Sequence, residues 1–315
     1  MIKVLHEKLI EEFVNPRFDI YDTKEHLMYY GGAPVRHDFC ANARIASYAF
    51  VFGKEKYYDR AKAMLKRVLS LQNTDENSPY YGMWSYALEE RLEDMYFVDY
   101  NVADFIAKSF LDILYHNPEP LSSEELKQMC EGLRRAIESG IRRNIAPDYT
   151  NISIGACLVQ IAAGEKLKDE RFFNIGKQRL KKLLEYTRFN TGFSEYNSSN
   201  YALLNIEDTS RMLDYFKDSE CKQMAEELNE YAWEMLTVHF NTHIDQLTPP
   251  QSRSYINLEE GKINALIYLA TDGKHGNMNH PELVMPPWMF VGLKCPESCL
   301  EHLTFDDERW IDHTY

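Results

Sequence analysis

Apolar residues recur at three- and four-residue spacing through most of this chain of 315 residues. That spacing matches the turn of an α-helix, and no segment shows a convincing strand alternation. The loops between the periodic segments are short and carry Gly, Pro, Asn or Asp, which are turn-forming residues. The pattern therefore predicts an all-α fold. The predicted helices cover residues 41–52, 54–71, 102–115, 122–140, 152–163, 168–187, 200–216, 219–239 and 258–270.

A helical hairpin repeats along the chain. In the first copy a helix rich in small residues starts near Ala43 and turns at Gly53, and an amphipathic helix then runs to Leu71. The second copy starts near Ile154, turns at Gly164 and continues in another basic helix. Successive hairpins of about 40 to 50 residues predict a helical repeat array. Such an array either stacks open as a solenoid or closes into a ring.

Polar residues stand at the start of each predicted inner helix. If the array closes, these helix N-termini converge at one end and form a polar cup, which an open solenoid would not need. We therefore expect an (α/α) toroid, an incomplete or six-hairpin barrel of alternating inner and outer helices. It would be a single domain over residues 1–315, with a loop-rich C-terminal segment at 274–315. The polar starts are Asp38 and Asn42, Asp99 and Asn101, residues 149–151, and residues 195–201.

The chain carries a formal net charge of −14. Nucleic acids and anionic membranes are bound through a surplus of Lys and Arg, so neither is an expected partner. The first residues resemble the start of an amphipathic helix rather than a signal peptide, and no segment approaches the roughly 18 to 20 apolar residues of a membrane span. Six cysteines, most of them far apart, are typical of a reduced protein. These observations predict a cytoplasmic protein.

The densest polar and aromatic stretch lies at residues 193–201, between two predicted helices, and reads Phe-Ser-Glu-Tyr-Asn-Ser-Ser-Asn-Tyr. A connecting loop needs Gly, Pro, Asp or Ser for its turns, but it does not need phenols and amides at this density. Polar and aromatic loops on rigid helices are common places for sugar-binding sites. The alternative is a helix N-terminus capped by Ser198 or Ser199, with half-buried tyrosines.

This stretch carries a family resemblance. Phe193, Glu195, Ser198 and Tyr201 follow a Phe-x-Glu…Ser-x-x-Tyr pattern about fifty positions after Asn151. The pattern resembles that of heparinase- and alginate-type polysaccharide lyases, which have an (α/α) toroid. It is more similar still to uncharacterised single-toroid proteins with a Glu-Tyr-Asn-Ser-x-x-Tyr motif. The motif content lies within roughly residues 145–215.

The resemblance implies roles for two residues. In those lyases an Asn at the start of the preceding inner helix neutralises the carboxylate of a uronate sugar. The Tyr acts as base, and often as acid, in β-elimination. Asn151 and Tyr201 stand at the matching positions. The chemistry is physically consistent, because a proton beside a carboxylate can be removed only when that charge is reduced and a base lies close.

The match departs from the lyase pattern at several positions. One extra residue stands between Glu195 and Ser198. Ser199 stands where those lyases usually have Pro, and Ile152 where they commonly have His. They also carry a C-terminal β-sandwich that can supply a catalytic His, and the helical pattern here includes no such domain. The resemblance therefore predicts the fold more directly than the reaction.

The leading hypothesis is a carbohydrate-active enzyme that cleaves uronic acid-containing oligosaccharides by β-elimination. The catalytic residues would be Tyr201 as base and acid, Asn151 as carboxylate neutraliser, and Glu195. Arg253 follows Pro249 and Pro250, where it would clamp an anion, although a salt bridge to the acidic surface is the alternative. The expected substrate-binding residues are Tyr196, Asn197, Tyr149, Asp99, Asn101, Arg253 and Tyr255.

Two other functions remain open at this stage. Asp99 and Glu195 could form the carboxylate pair of a glycoside hydrolase, although Asp99 could equally be a helix N-cap. A non-catalytic helical-repeat protein that binds protein or sugar is the third hypothesis.

Metal and cofactor motifs are weak. His239 and His243 stand four residues apart at a predicted helix end, and Cys295 and Cys299 are also close, but neither pair has further ligands. The chain has no Gly-rich phosphate loop and no dinucleotide fingerprint. We therefore expect neither a metal nor a cofactor.

Overall fold

The computed structural model describes residues 2–30, 35–253, 260–304 and 310–311. The fold is all-α, with about 63% of residues in helices. The described residues form eleven α-helices and two hairpins of very short strands. The helices are α1 (Ile2–Asp19), α2 (Phe39–Val51), α3 (Tyr58–Ser70), α4 (Asn101–His116), α5 (Ser123–Arg143), α6 (Thr150–Leu167), α7 (Glu170–Phe189), α8 (Ser199–Tyr215), α9 (Ser219–His239), α10 (Glu260–Ala270) and α11 (Glu297–Thr304).

The all-α class and the nine predicted helices are confirmed, with ends that shift by a few residues. The predicted turn at Gly164 is wrong, because that residue lies inside α6 and the chain turns at Lys168, which has a φ of +55°. A Cβ on Gly164 would lie 2.6 Å from the backbone nitrogen of Phe173 in α7. This glycine therefore serves the close approach of two helices rather than a turn.

The described chain packs as two compact units. We call Lys3–Ile145 together with Gly155–Gly176 the N-terminal unit. The C-terminal unit comprises Met1–Ile2, Ala146–Ile154 and Lys177–Tyr315. Packing into two units does not show whether they unfold together, so the single domain stays a prediction. The closed ring of helices also stays a prediction.

The N-terminal unit is built on α2 and α4, which pack against each other and against α3 and α5. Its core includes the fully buried side chains of Tyr48, Trp84 and Phe110. The expectation of short loops is wrong for the connection between α3 and α4, which spans residues 71–100 and is held in place by buried hydrogen bonds. Trp84 Nε1 donates to the carbonyl of Val68 at 2.7 Å, and Gln72 Nε2 donates to the carbonyl of Gly82 at 2.9 Å. This connection is therefore an ordered part of the core.

Two helix starts with acidic side chains lie in the N-terminal unit, those of α2 and α4. Asp38 caps α2 by accepting the backbone N–H of Ala41 at 2.6 Å. Asp99 accepts the backbone N–H of Asn101 at the start of α4, at 2.9 Å. Burial raises the pKa of Tyr86 to about 12, and a hydrogen bond to the Asp99 carboxylate adds to the shift. Asp99 is not the N-cap of α4, which is Tyr100, but its carboxylate accepts the first helical N–H and the Tyr86 hydroxyl within this unit.

The C-terminal unit is built on α8 and α9, with α11 packed on α9 and α10 on α8. Trp233 and Ile206 are fully buried in its core. Arg211 is buried on α8, where it pairs with Glu207 at 2.6 Å and with Asp208 at 3.3 Å. The predicted loop-rich C-terminal segment contains 3₁₀ turns at Pro281–Leu283 and Pro286–Met289 as well as α11.

Each unit contains a β-hairpin that sequence periodicity does not predict. Strand β1 (Tyr21–Asp22) pairs antiparallel with β2 (Leu27–Met28), and β3 (Phe240–Asn241) pairs antiparallel with β4 (Gln246–Leu247). Strands of two residues are too short to show an alternation. Each hairpin follows one helix and precedes another, and the last residue of each turn has a positive φ, 57° at His26 and 54° at Asp245.

The two hairpins are also held in a similar way. Asn42 on α2 bonds to both the N–H and the carbonyl of Met28, at 2.7 and 3.0 Å. Asn264 on α10 donates to the carbonyl of Asp245 at 2.9 Å. An asparagine on the following helix thus anchors each hairpin. None of the helices in the described part of the chain combines the length and apolar character needed to cross a membrane.

Candidate functional site

The run at residues 193–201 forms a loop and the first turn of α8. Ser198 is the N-cap, and its hydroxyl accepts the backbone N–H of Tyr201 at 3.3 Å. Asn197 takes a left-handed conformation with a φ of 44°, which asparagine tolerates better than most residues. The cap interpretation is therefore right for Ser198, and it leaves the carboxylate and phenols of the run to be explained.

Glu195 is buried and its carboxylate is bonded at both oxygens. Only 4% of the residue is exposed. Its Oε2 accepts the backbone N–H of Asn151 at 2.9 Å, at the start of α6. Its Oε1 accepts from Nη1 of Arg253 at 3.1 Å. A helix N-terminus and a guanidinium both favour a negative charge at this position.

A second loop is fastened onto the first and carries Arg253. The side-chain amide of Asn197 donates to the carbonyls of Thr248 and Pro250, at 2.6 and 2.8 Å. The backbone N–H of Ser252 donates to the carbonyl of Tyr196 at 3.1 Å. These bonds fix the path of residues 248–253. Sequence patterns do not identify these contacts, because they join positions more than fifty residues apart.

Arg253 links the buried carboxylate to a phenol. Its Nη2 donates to the hydroxyl oxygen of Tyr201 at 3.0 Å, while Nη1 bonds to Glu195. The guanidinium carbon lies 4.7 Å from the ring centre of Tyr201 and 5.5 Å from that of Tyr149. Arg253 has a φ of 49°, which is uncommon for a bulky residue. Its side chain is 39% exposed, so a ligand can reach it.

We call Tyr149, Asn151, Glu195, Tyr201 and Arg253 the Glu195 cluster. Burial raises the pKa of Glu195, and the Asn151 N–H and the charge of Arg253 oppose this only in part. The side-chain oxygen of Asn151 is buried, and within the described ranges no donor reaches it. Buried polar atoms normally have a partner, so this oxygen suits contact with a bound molecule or water.

Tyr196 faces a different neighbour. Its hydroxyl lies 2.6 Å from Nε2 of His239, and the two rings meet edge-on with centres 5.0 Å apart. Nδ1 of His239 lies 2.7 Å from the carbonyl of Met235, which can only accept. In the neutral imidazole Nδ1 therefore carries the proton, Nε2 accepts, and the Tyr196 hydroxyl donates. Both ring nitrogens are engaged, which disfavours His239 as a metal ligand.

The structure brings five predicted site residues together in the Glu195 cluster, with Tyr196 and Asn197 supporting the loops beside it. Asp99 and Asn101 belong to the N-terminal unit, where Asn101 accepts a hydrogen bond from Arg143. Tyr255 lies outside the described residues. Sequence reasoning misses Ser252 as a support for the loop, and the adjacent Pro249 and Pro250 are the only local signal for it.

No three His, Cys, Asp or Glu side chains of the described residues are arranged to share a metal ion. The six cysteines are free thiols, and Cys295 and Cys299 are both buried. Burial raises the pKa of Cys295 to about 12 and that of Cys299 to about 11, which disfavours the thiolates that bind metals.

Comparison with known proteins assigns the chain to a family whose function is unknown. No curated protein and no solved structure matches the chain. One family model does match, over residues 7–283, and it describes a domain of unknown function. Because this match covers most of the 315 residues, the chain belongs to that family, DUF8769.

Proposed function

We propose that this protein is a carbohydrate-active enzyme that cleaves short uronic acid-containing oligosaccharides in the cytoplasm by β-elimination. The Glu195 cluster would be the active site and Tyr201 the catalytic base. This function is the leading hypothesis from the sequence, and the geometry of the cluster supports it over the alternatives.

The observation that carries the proposal is the 3.0 Å bond from Arg253 to the Tyr201 hydroxyl oxygen. A phenol is a poor base unless its anion is stabilised. A guanidinium that donates to the phenol oxygen favours the phenolate, because opposite charges at this distance attract. Tyr201 would thus be prepared to accept a proton from substrate.

Glu195 would act as a positioning residue. Both of its oxygens are bonded, one to the Asn151 N–H and one to Arg253, and it is almost fully buried. A carboxylate held in this way fixes the direction of the guanidinium, much as the third residue of a catalytic triad orients the base. It is poorly placed to attack a sugar carbon itself.

The proposed step balances without a co-reactant. Tyr201 removes the proton on the carbon next to the uronate carboxylate, and the electron pair forms a double bond to the neighbouring carbon. The bond from that neighbour to the glycosidic oxygen breaks, and the leaving oxygen takes a proton, which Tyr201 can return. Asn151 and Arg253 would reduce the charge that builds up on the substrate carboxylate.

The test is incubation of the purified protein with oligosaccharides of several uronates, followed by the ultraviolet absorbance of the unsaturated product. We expect absorbance with at least one substrate. Tyr201→Phe should reduce the rate by about 100-fold or more, because positioned acid–base groups typically contribute that much. The ring and its packing remain in this variant.

Tyr186→Phe is the matched control. It also removes one phenol hydroxyl from the C-terminal unit, one that lies 3.0 Å from the Ser194 hydroxyl outside the cluster. Its rate should stay close to that of the wild type. Equal losses in the two variants, or no loss in Tyr201→Phe, would contradict a catalytic role for Tyr201.

A glycoside hydrolase is the second candidate, and the raised pKa of Glu195 favours it, because a buried carboxyl that keeps its proton can act as a general acid. Hydrolysis adds water across the broken bond, whereas elimination does not. New reducing ends without ultraviolet absorbance, with heavy oxygen incorporated from labelled water, would support the hydrolase. Binding without any product would support the non-catalytic alternative.

A further inference from the structure

The N-terminal unit contains a cavity of about 290 Å³ that the Glu195 cluster does not use. It lies beside the last turn of α5. Its lining includes two arginines and two tyrosines but no acidic side chain, in a protein whose net charge is −14. The residues that line it are Pro79, Tyr81, Tyr100, Ser139, Arg142 and Arg143.

Arginines at the end of a helix have a simple structural explanation, since the C-terminus of a helix attracts positive charge. Here each guanidinium also lies over an aromatic ring. The Arg142 carbon is 4.6 Å from the ring centre of Tyr81, and that of Arg143 is 5.9 Å from the ring centre of Tyr100. The helix dipole does not require these rings, and together they give the cavity two cations on an aromatic wall.

The wall of the cavity is held in place on both sides. Gly82 has a φ of 81°, and a Cβ there would lie 2.0 Å from the carbonyl oxygen of Arg135, so the turn beside Tyr81 rests directly on α5. Arg143 donates to the side-chain oxygen of Asn101 at the start of α4. Arg142 donates to the carbonyl of Glu76 at 3.2 Å and forms no ion pair with a carboxylate of the described residues. The cations are therefore held at this wall before any ligand arrives.

We propose that this cavity binds a monosaccharide-sized anion, a sugar that carries a carboxylate or a phosphate. The guanidinium groups match the geometry of either anionic group. The tyrosine faces suit the ring of a sugar. The volume is near the lower end of ligand pockets, which span about 300 to 1,000 Å³, so a single sugar fits better than a chain. The proposal is independent of whether the Glu195 cluster is catalytic.

The test is calorimetric titration of the full chain with glucuronate, glucose 6-phosphate, glucose and inorganic phosphate. Each titration is repeated in an Arg253→Ala variant, which removes the cation of the Glu195 cluster, so that binding of an anion that depends on that cluster is lost. We expect one or both of the charged sugars to bind at least about tenfold more tightly than glucose and than inorganic phosphate, since both the anion and the ring contribute. Binding of glucuronate alone or of glucose 6-phosphate alone would identify the anionic group.

Substitutions then locate the site. Arg142→Ala and Arg142→Glu should each weaken the bound sugar by about tenfold or more, because each loses a charge-assisted hydrogen bond. Arg142 is exposed, so neither change disturbs the core. Arg91→Ala removes one exposed positive charge elsewhere in the same unit and should leave the affinity unchanged.

Several results would overturn the proposal. Glucose that binds as tightly as the charged sugars would exclude recognition of the anion. Inorganic phosphate that binds as tightly would exclude recognition of the sugar ring. Unchanged affinity in both Arg142 variants, or an equal loss in Arg91→Ala, would place the binding elsewhere.

Discussion

Glu195 is deeply buried, and its side chain also accepts hydrogen bonds from a backbone N–H and a guanidinium. Burial and these two donors have opposite effects on its ionisation. Removal from water disfavours the carboxylate, whereas the Asn151 N–H and Arg253 favour it. Burial is the larger effect, so the pKa of Glu195 lies above the ordinary value of a glutamate. The folded state therefore holds this proton more tightly than the unfolded state does.

This difference gives a signed pH dependence. Between the ordinary and the raised pKa the folded state binds more protons, so the contribution of Glu195 to stability is present at low pH and is lost as the pH rises. Glu195→Gln removes the titration but keeps an acceptor for the Asn151 N–H. We therefore expect the unfolding free energy of this variant to improve relative to the wild type as the pH rises from about 4 to about 8. Denaturant titrations of both proteins across that range measure it.

Glu227 provides a control of opposite sign in the same unit. Its hydrogen bonds with Arg188 lower its pKa, so its stabilising contribution is present above the ordinary pKa and is lost as the pH falls. Glu227→Gln should therefore lose stability relative to the wild type as the pH rises. A Glu195→Gln difference that is flat, or that runs in the same direction as that of Glu227→Gln, would refute the raised pKa.

Helix α5 begins with a reciprocal cap and ends at the arginine-lined cavity. The Ser122 hydroxyl accepts the backbone N–H of Glu125 at 3.3 Å, and the Glu125 carboxylate accepts that of Ser122 at 2.8 Å. Ser122→Ala should lower the unfolding free energy by about 1 kcal/mol, the usual value of an N-cap side chain. Chemical denaturation measures this loss.

The adjacent serine tests whether the loss comes from the cap. Ser123 is also exposed but is the first residue of α5, where alanine is a good helix former. Ser123→Ala should be neutral or slightly stabilising, and Ser122→Asp should retain most of the stability because aspartate also caps. If Ser122→Ala and Ser123→Ala gave the same change, the cap would not be the cause.

At the scale of elements, the helices could be predicted because the apolar spacing that defines them is local. All nine predicted segments are helices, even though the protein contains long loops. The hairpins could not be predicted, since a strand such as Tyr21–Asp22 is too short to carry a pattern. The Gly164 turn failed for a related reason: the role of a glycine inside a helix depends on its packing partner, here Phe173.

The candidate site was predictable to a similar degree. The motif around Glu195 and Tyr201 is local and visible in the sequence, and so is Asn151 near the start of α6. The bond from Glu195 to Arg253 spans 58 positions, and no pattern in either segment specifies that pairing. The arginine-lined cavity is similar, because Tyr81 and Arg142 meet only through packing.

At the scale of the whole molecule, two of the boundaries between the units lie inside helices rather than in loops. Helix α6 (Thr150–Leu167) contributes residues 150–154 to the C-terminal unit and the rest to the N-terminal unit. Helix α7 (Glu170–Phe189) changes unit after Gly176. If one unit unfolded alone, both helices would have to break internally, which costs hydrogen bonds without releasing a complete element.

We therefore expect one cooperative unfolding transition, as the predicted single domain requires. The four tryptophans allow each unit to be followed separately, because Trp84 lies in the N-terminal unit and Trp233, Trp288 and Trp310 lie in the C-terminal unit. A Trp84→Phe variant reports fluorescence from the C-terminal unit only, and the triple variant with Phe at the other three positions reports from the N-terminal unit only.

In each variant the fluorescence midpoint should coincide with that of far-ultraviolet circular dichroism, which follows all helices. Comparing the two probes within one variant removes the effect of the substitutions on stability. Separate midpoints would instead mean that α6 and α7 break at the boundary and that the units fold independently.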